Sequence, residues 1–219
     1  MSVLLLVEGR QDAELLLHLI EKAKIGSCSR HSSQNSADFV VKVLGSYAQL
    51  RRDLPDELLS TAFNQFGIIP DADTDVTARW QSITSRLSEI EERSSKLFEL
   101  LPRGPDPDGT ILQAATGRTI GIWLWPDNRS TGDLEAFAGK LTPQDDPLWI
   151  HAGRVIEDLP ERRFIPTHWN KAHIHAWLAW QDPPDQTIGI AIAKGNLQID
   201  RDPATRLVHW LTKLKETTP

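Results

Sequence analysis

Three apolar runs in this chain each end on an acid. Glu8 follows Val3-Leu4-Leu5-Leu6-Val7, Asp71 and Asp73 follow Phe66-Gly67-Ile68-Ile69-Pro70, and Asp127 follows Ile122-Trp123-Leu124-Trp125-Pro126. A short, continuous apolar run is what a strand covered on both faces requires. Such strands belong to parallel sheets with helices on both sides, where the ligand crevice lies outside the carboxyl ends of the strands. Carboxylates gathered there suit a hard cation, and Mg²⁺ (or Mn²⁺) is the expected cofactor.

The segments between these runs fit that scheme. Leu15, Leu16, Leu19, Ile20 and Ala23 recur at helical spacing. Residues 26–38 read as a polar loop, and Phe39 to Leu44 as a second strand. Leu50, Leu54, Leu58 and Leu59 predict helical segments broken at Pro55. Trp80, Ile83, Leu87 and Ile90 predict a long amphipathic helix over 76–100. Thr110 to Ala114 and Arg118 to Trp125 flank Thr116-Gly117, which predicts a hairpin insertion near 110–125. Further helices are expected from Leu134 onward and over 148–159, 172–180 and 204–215, with a Pro- and Trp-containing connection over 160–170 and a last strand over 187–193. The expected fold is a single α/β domain over residues 1–219, three-layered, with a mostly parallel central sheet and helices on both faces.

Composition narrows the function classes. A chain of 219 residues, 40% hydrophobic and 25% charged, is ordinary for a globular domain. No apolar run approaches the ~18 residues that span a bilayer, and no basic segment precedes the first run, so neither a membrane anchor nor a signal peptide is expected. The single cysteine, Cys28, excludes an intrachain disulfide and fits a reducing cytoplasm. A net charge of -6 argues against coating nucleic acid by charge alone. It leaves room for a nucleic-acid enzyme, whose own carboxylates add to that count. The eight tryptophans are expected in packing rather than in base stacking.

Three acidic constellations carry the chemistry. In the first, Gly9 lets the chain turn between Glu8 and Asp12. Asp12 by itself reads as a complement to a helix dipole, whereas Glu8, directly after a buried strand, has no structural duty there. In the second, Asp75 reads as the cap of the helix at Val76, and Asp71 and Asp73 exceed what a cap needs. Spaced by two on an extended segment, they are expected to point the same way and share a metal. In the third, Ser130 and Asp133 match capping-box spacing, and Asp127, Asp133 and Glu135 place three acids beside a strand end.

These motifs carry a resemblance. Glu8 in Val-Glu-Gly and the Asp71-Ala72-Asp73 pair are similar to the two signatures of the Toprim superfamily of topoisomerases, DnaG-type primases, recombination proteins and OLD-type nucleases. Gly132-Asp133-Leu134-Glu135 resembles the third acidic motif of the OLD-type branch, and the whole chain resembles a small stand-alone bacterial Toprim-like family of unassigned function. The resemblance implies Glu8 as metal ligand or general acid/base, Asp71 and Asp73 as Mg²⁺ ligands, and Asp12 and Glu135 at a second metal position. Thr74-Asp75-Val76 departs from the continuation common in topoisomerases and primases, so those activities are not expected.

Phosphoryl chemistry also wants a cation near the developing charge. Lys194, after the expected last strand, is the candidate catalytic cation. Lys171 is a second, and Arg10 and Arg129 flank the acidic motifs. His168, His173 and His175 cluster, but their spacing suits no common zinc site. No Gly-rich nucleotide loop is present. The expected function is Mg²⁺-dependent phosphodiester hydrolysis, nuclease-like, acting on nucleic acid or another phosphoester. The alternative is a non-catalytic metal- or protein-binding module. A receiver-like phosphorelay domain, with acids after strands one and three and a lysine after the last strand, ranks third.

Overall fold

A computed structural model describes residues 2–30, 37–59, 62–94, 101–114 and 117–217. β1 (Val3–Val7), β3 (Phe39–Val43), β4 (Gln65–Ile69) and β6 (Thr119–Ile122) run parallel, with short β2 (Cys28–Ser29) at one edge. At the other edge β5 (Thr110–Gln113) pairs antiparallel with β6, giving the order β2-β3-β1-β4-β6-β5. The expected antiparallel strand pair is therefore present, and residues 115 and 116 lie outside the described residues. β2 falls in the stretch read as a polar loop, of which 31–36 also lie outside the described residues.

The alternation of side chains splits the core into two halves. Val3, Leu5 and Val7 face one side with Trp123 and Trp125, while Leu4, Leu6, Ile68 and Leu124 face the other. The first face is covered by α1 (Arg10–Ala23), α4 (Leu134–Lys140), α5 (Pro147–Glu157), α6 (Trp169–Leu178), α7 (Ile188–Lys194) and α8 (Ala204–Glu216). The second is covered by α2 (Tyr47–Leu59) and α3 (Val76–Ser94). This is a three-layer α/β fold. Residues 95–100 of the helix expected over 76–100 lie outside the described residues.

Close packing on the first face depends on two paired glycines. Gly67 and Gly121 are register partners on β4 and β6. A Cβ on Gly67 would sit 2.6 Å from Leu5, and one on Gly121 would sit 2.6 Å from Trp210. Trp210 of α8 thus lies directly on the sheet, with its indole N–H donating to the Thr110 carbonyl at 3.1 Å.

Two expectations about elements fail for clear reasons. α2 continues through Pro55. Proline removes the hydrogen bond to the carbonyl four residues back, and Arg86 Nε instead donates to that Arg51 carbonyl at 3.0 Å. The segment over 187–193 is helix α7 rather than a strand. Its N-cap is Thr187, whose hydroxyl accepts from Ile190 N, and it ends at Gly195 with φ 88°. Gly189 allows α7 to lie close on α1, where a Cβ would come within 2.9 Å of the Glu14 carbonyl.

Candidate functional site at the carboxyl edge of the sheet

The chain order across the sheet creates a switch point. α1 leaves β1 toward β3 over one face, and α2 returns from β3 to β4 over the other. The carboxyl ends of β1 and β4 therefore open into the crevice where ligands of such sheets bind. Glu8 and Asp71 sit on its two lips, and Asp71 N donates to Glu8 Oε1 at 3.1 Å.

The loop after β4 is held by its neighbour. Ala72 N donates to the Trp125 carbonyl and Trp125 N to the Pro70 carbonyl, extending the ladder beyond the strands. Asp73 and Gly132 exchange both backbone hydrogen bonds, at 2.9 and 2.7 Å. The acids thus stand on a braced backbone rather than on a loose loop.

Asp71 and Asp73 do not point together. Asp73 adopts a left-handed φ of 53°, which breaks the alternation of an extended segment. Asp71 Oδ1 accepts from Leu134 N at the start of α4, 3.2 Å away. Asp73 turns instead to the guanidinium of Arg79 on α3. Asp75 caps α3 as expected, accepting from Ala78 N at 2.9 Å.

Around Asp71 negative charge is crowded. Burial raises its carboxyl, and Asp12, Glu8, Asp133 and Asp73 push further, to about 9. Asp12 is raised to about 7, chiefly by burial, even though the Trp125 indole N–H donates to it at 2.9 Å. Its other oxygen accepts from Gly9 N, so Asp12, read from sequence as a complement to the helix dipole, also holds the backbone at the start of α1. Burial also raises Glu8 against the hydrogen bond from Asp71 N. It raises Asp133, the N-cap of α4, which accepts from Ala136 N. Asp133, not Ser130, is therefore the capping residue of this helix. Glu135 is buried and pairs with Lys171 Nζ at 3.1 Å. Burial works against the Lys171 charge, but Glu135, Asp133 and Asp71 outweigh it and hold its pKa above the ordinary value.

Two expected site residues lie apart from this group. Asp127 closes a turn: its Oδ1 accepts from Arg129 N and Ser130 N, and its Oδ2 meets Ser130 Oγ and Lys140 Nζ. Burial would raise it, but these partners more than compensate and hold it below the ordinary range. Lys194 ends α7, not a strand. The neighbouring Gly195 lies against Lys22, in the last turn of α1, while the crevice is at the first turn. With 14 residues in α1, the separation along the helix is about 20 Å. Lys194 is not brought to the crevice, and the receiver-like reading loses its lysine.

The secondary candidates disperse. Arg10 and Arg129 are exposed, and among the described residues neither pairs with the acids of the crevice. His173 is buried, stacked on Trp149 at 3.6 Å with Nε2 2.8 Å from the Trp149 carbonyl, whereas His168 and His175 are exposed. Among the described residues, no three His, Cys, Asp or Glu side chains stand so that they could hold one metal ion. No helix among them is long and apolar enough to cross a membrane.

Beside the acids lies a cleft of about 670 Å³, with Asp73, Asp133, Thr131, Thr167, Trp169 and Asn170 on its walls. Arg79 was not legible as a site residue, although one signal existed. A cation in the first turn of a helix opposes the helix dipole and calls for a local anion.

No curated protein and no solved structure matches the chain. A family model described as "Protein of unknown function (DUF3226)" matches residues 2–216. The chain therefore belongs to the DUF3226 family.

Proposed function

We propose that the crevice between β1 and β4 is a divalent-cation site of Toprim type, serving phosphodiester hydrolysis on nucleic acid or a related phosphoester. The observation that carries this reading is the gathering of acids from three segments at the strand ends: Asp71 N donates to Glu8 Oε1 at 3.1 Å, and Asp71 Oδ1 accepts from Leu134 N beside Asp133, the N-cap of α4. An oxygen-only donor set suits Mg²⁺ or Mn²⁺. Glu8, Asp71 and Asp73 would hold the ion, with Asp12, Asp133 and Glu135 nearby. Because the side chains as placed do not gather three ligands, binding requires rotation, most simply of Asp73 away from Arg79.

When bound, the cation would supply Lewis-acid charge at the phosphoryl group. The chain's own residues do the rest. Asp71 and Glu8 position each other through the backbone hydrogen bond across the crevice. Lys171, half exposed beside Glu135, offers a cation that draws an anionic substrate toward an otherwise acidic wall. The cleft beside Asp73 and Asp133 gives such a substrate room.

A non-catalytic metal- or protein-binding module is the second reading, favoured by the net charge of -6. Cleavage assays on single-stranded DNA, RNA and a chromogenic phosphodiester, with Mg²⁺ or Mn²⁺, separate the two. Hydrolysis that disappears in Asp71→Asn supports the enzyme. Metal binding with no hydrolysis of any of these substrates supports the module.

A further inference from the structure

On the α3 side of the crevice is a second pocket, of about 260 Å³, bounded by Tyr47, Ala72, Asp73, Thr74, Arg79 and Ser82. The Arg79 guanidinium lies 3.4 Å over the Tyr47 ring, and its Nη2 binds Asp73. Its Nη1 is buried and has no hydrogen-bond partner, in a side chain only 9% exposed. The Tyr47 hydroxyl is likewise buried and unpartnered. A buried charged donor without an acceptor is costly, and in native proteins it points to a missing water or ion.

Two unpartnered donors on one stacked pair of side chains, one of them permanently charged, call for an acceptor with several oxygens. With Nη2 on Asp73, the free Nη1–H offers a phosphate oxygen a charge-assisted hydrogen bond, stronger than one to a neutral water. The acids of this pocket do not compete for the role: Asp73 is engaged by Arg79, and Asp75 accepts from Ala78 N. The first turn of the 19-residue helix α3 adds the positive end of its dipole. Arg79 also acts electrostatically on Glu8, so an oxyanion held here would lie against the acidic crevice.

We infer that Arg79 and Tyr47 form an oxyanion subsite that takes a phosphate group of the substrate. The inference deepens the phosphoester reading of the crevice and rests on it for the identity of the ligand. The phosphate has two possible sources: a terminal phosphomonoester or the backbone of a polynucleotide. Arg79 and Tyr47 are positioning residues in either case.

Tyr47 is the only tyrosine in the chain, so 3-fluorotyrosine labelling gives one ¹⁹F resonance that reports on the pocket. Inorganic phosphate is titrated into the metal-free protein against potassium chloride of equal ionic strength. The expected result is a saturable shift in wild type, weakened about tenfold or more in Arg79→Gln and less in the charge-retaining Arg79→Lys. Circular dichroism establishes that both variants are folded. No saturable shift in wild type, or one undiminished in both folded variants, overturns the subsite. A 5′-phosphorylated dinucleotide that binds more tightly than its unphosphorylated counterpart assigns the terminal group, and equal binding assigns the backbone phosphate. A phosphate response in a protein that binds no Mg²⁺ leaves the subsite standing and removes the metal reading. Mg²⁺ binding without the response does the reverse.

Discussion

Asp71 N donates to the Glu8 carboxylate across 3.1 Å, joining the loops that follow β1 and β4. The two strands are neighbours in the sheet although 57 residues of chain separate Val7 from Gln65. Folding therefore brings acids from distant segments into one buried crevice, where burial and mutual repulsion raise them.

Stability should depend on pH. Folding raises Asp12 to about 7 and Asp71 to about 9, both from 3.8. Above pH 3.8 the folded state thus holds more protons at these groups than the unfolded state, so stability falls as pH rises through the raised values. The thermal midpoint of the metal-free protein should drop between about pH 5 and 9, each 1 kcal/mol appearing as about 2–4 °C. Excess Mg²⁺ should shrink the drop. Scanning calorimetry across that range checks it, and a midpoint that rises with pH contradicts it.

Asp71→Asn cannot ionise and relieves its four acidic neighbours. Without metal the variant should equal or exceed wild type in stability near the alkaline end of the range, and its midpoint should vary less with pH. Urea denaturation at two pH values measures this. A loss of more than about 2 kcal/mol at the alkaline pH would mark Asp71 as a structural acid instead.

Asp127→Ala should behave in the opposite way. It removes the acceptor for Arg129 N and Ser130 N and the partner of Lys140, at a cost of about 1–3 kcal/mol. Metal affinity should stay within about twofold of wild type. Lys194→Ala, whose Nζ donates to the exposed Asp182 carbonyl, should alter neither stability by more than about 0.5 kcal/mol nor any activity. Lys171→Ala should weaken substrate binding instead.

Gly67 has no room for a side chain on the sheet. Gly67→Ala places a methyl carbon 2.6 Å from Leu5 and within 3.3 Å of Trp210 and Leu214, and should destabilise by about 1–3 kcal/mol. A denaturant midpoint unchanged from wild type would show that α8 is free to shift away from the sheet.

The strand-end acids were legible because buried parallel strands leave unbroken apolar runs, and Glu8, Asp71 and Asp73 lie directly behind them. α7 was not, because Ile188-Gly-Ile-Ala-Ile-Ala is buried against α1 and reads equally well as a short buried strand. Its Thr187 cap and Gly195 stop were the distinguishing signals. Asp127 shows the other limit: sequence position put it at a strand end, but only the fold reveals that backbone amides and Lys140 occupy its oxygens. Arg79 and the Trp125 indole enter the site through tertiary contacts that spacing does not encode.

The most direct measurement is calorimetric titration of Mg²⁺ and Mn²⁺ into wild type and into the double variant Asp71→Asn/Asp73→Asn, with both proteins shown to be folded. Saturable binding by wild type, accompanied by proton release at neutral pH and lost in the variant, is the predicted result. No binding by wild type, or equal binding by both proteins, would contradict the cation site and leave these acids as caps and buried, protonated carboxyls.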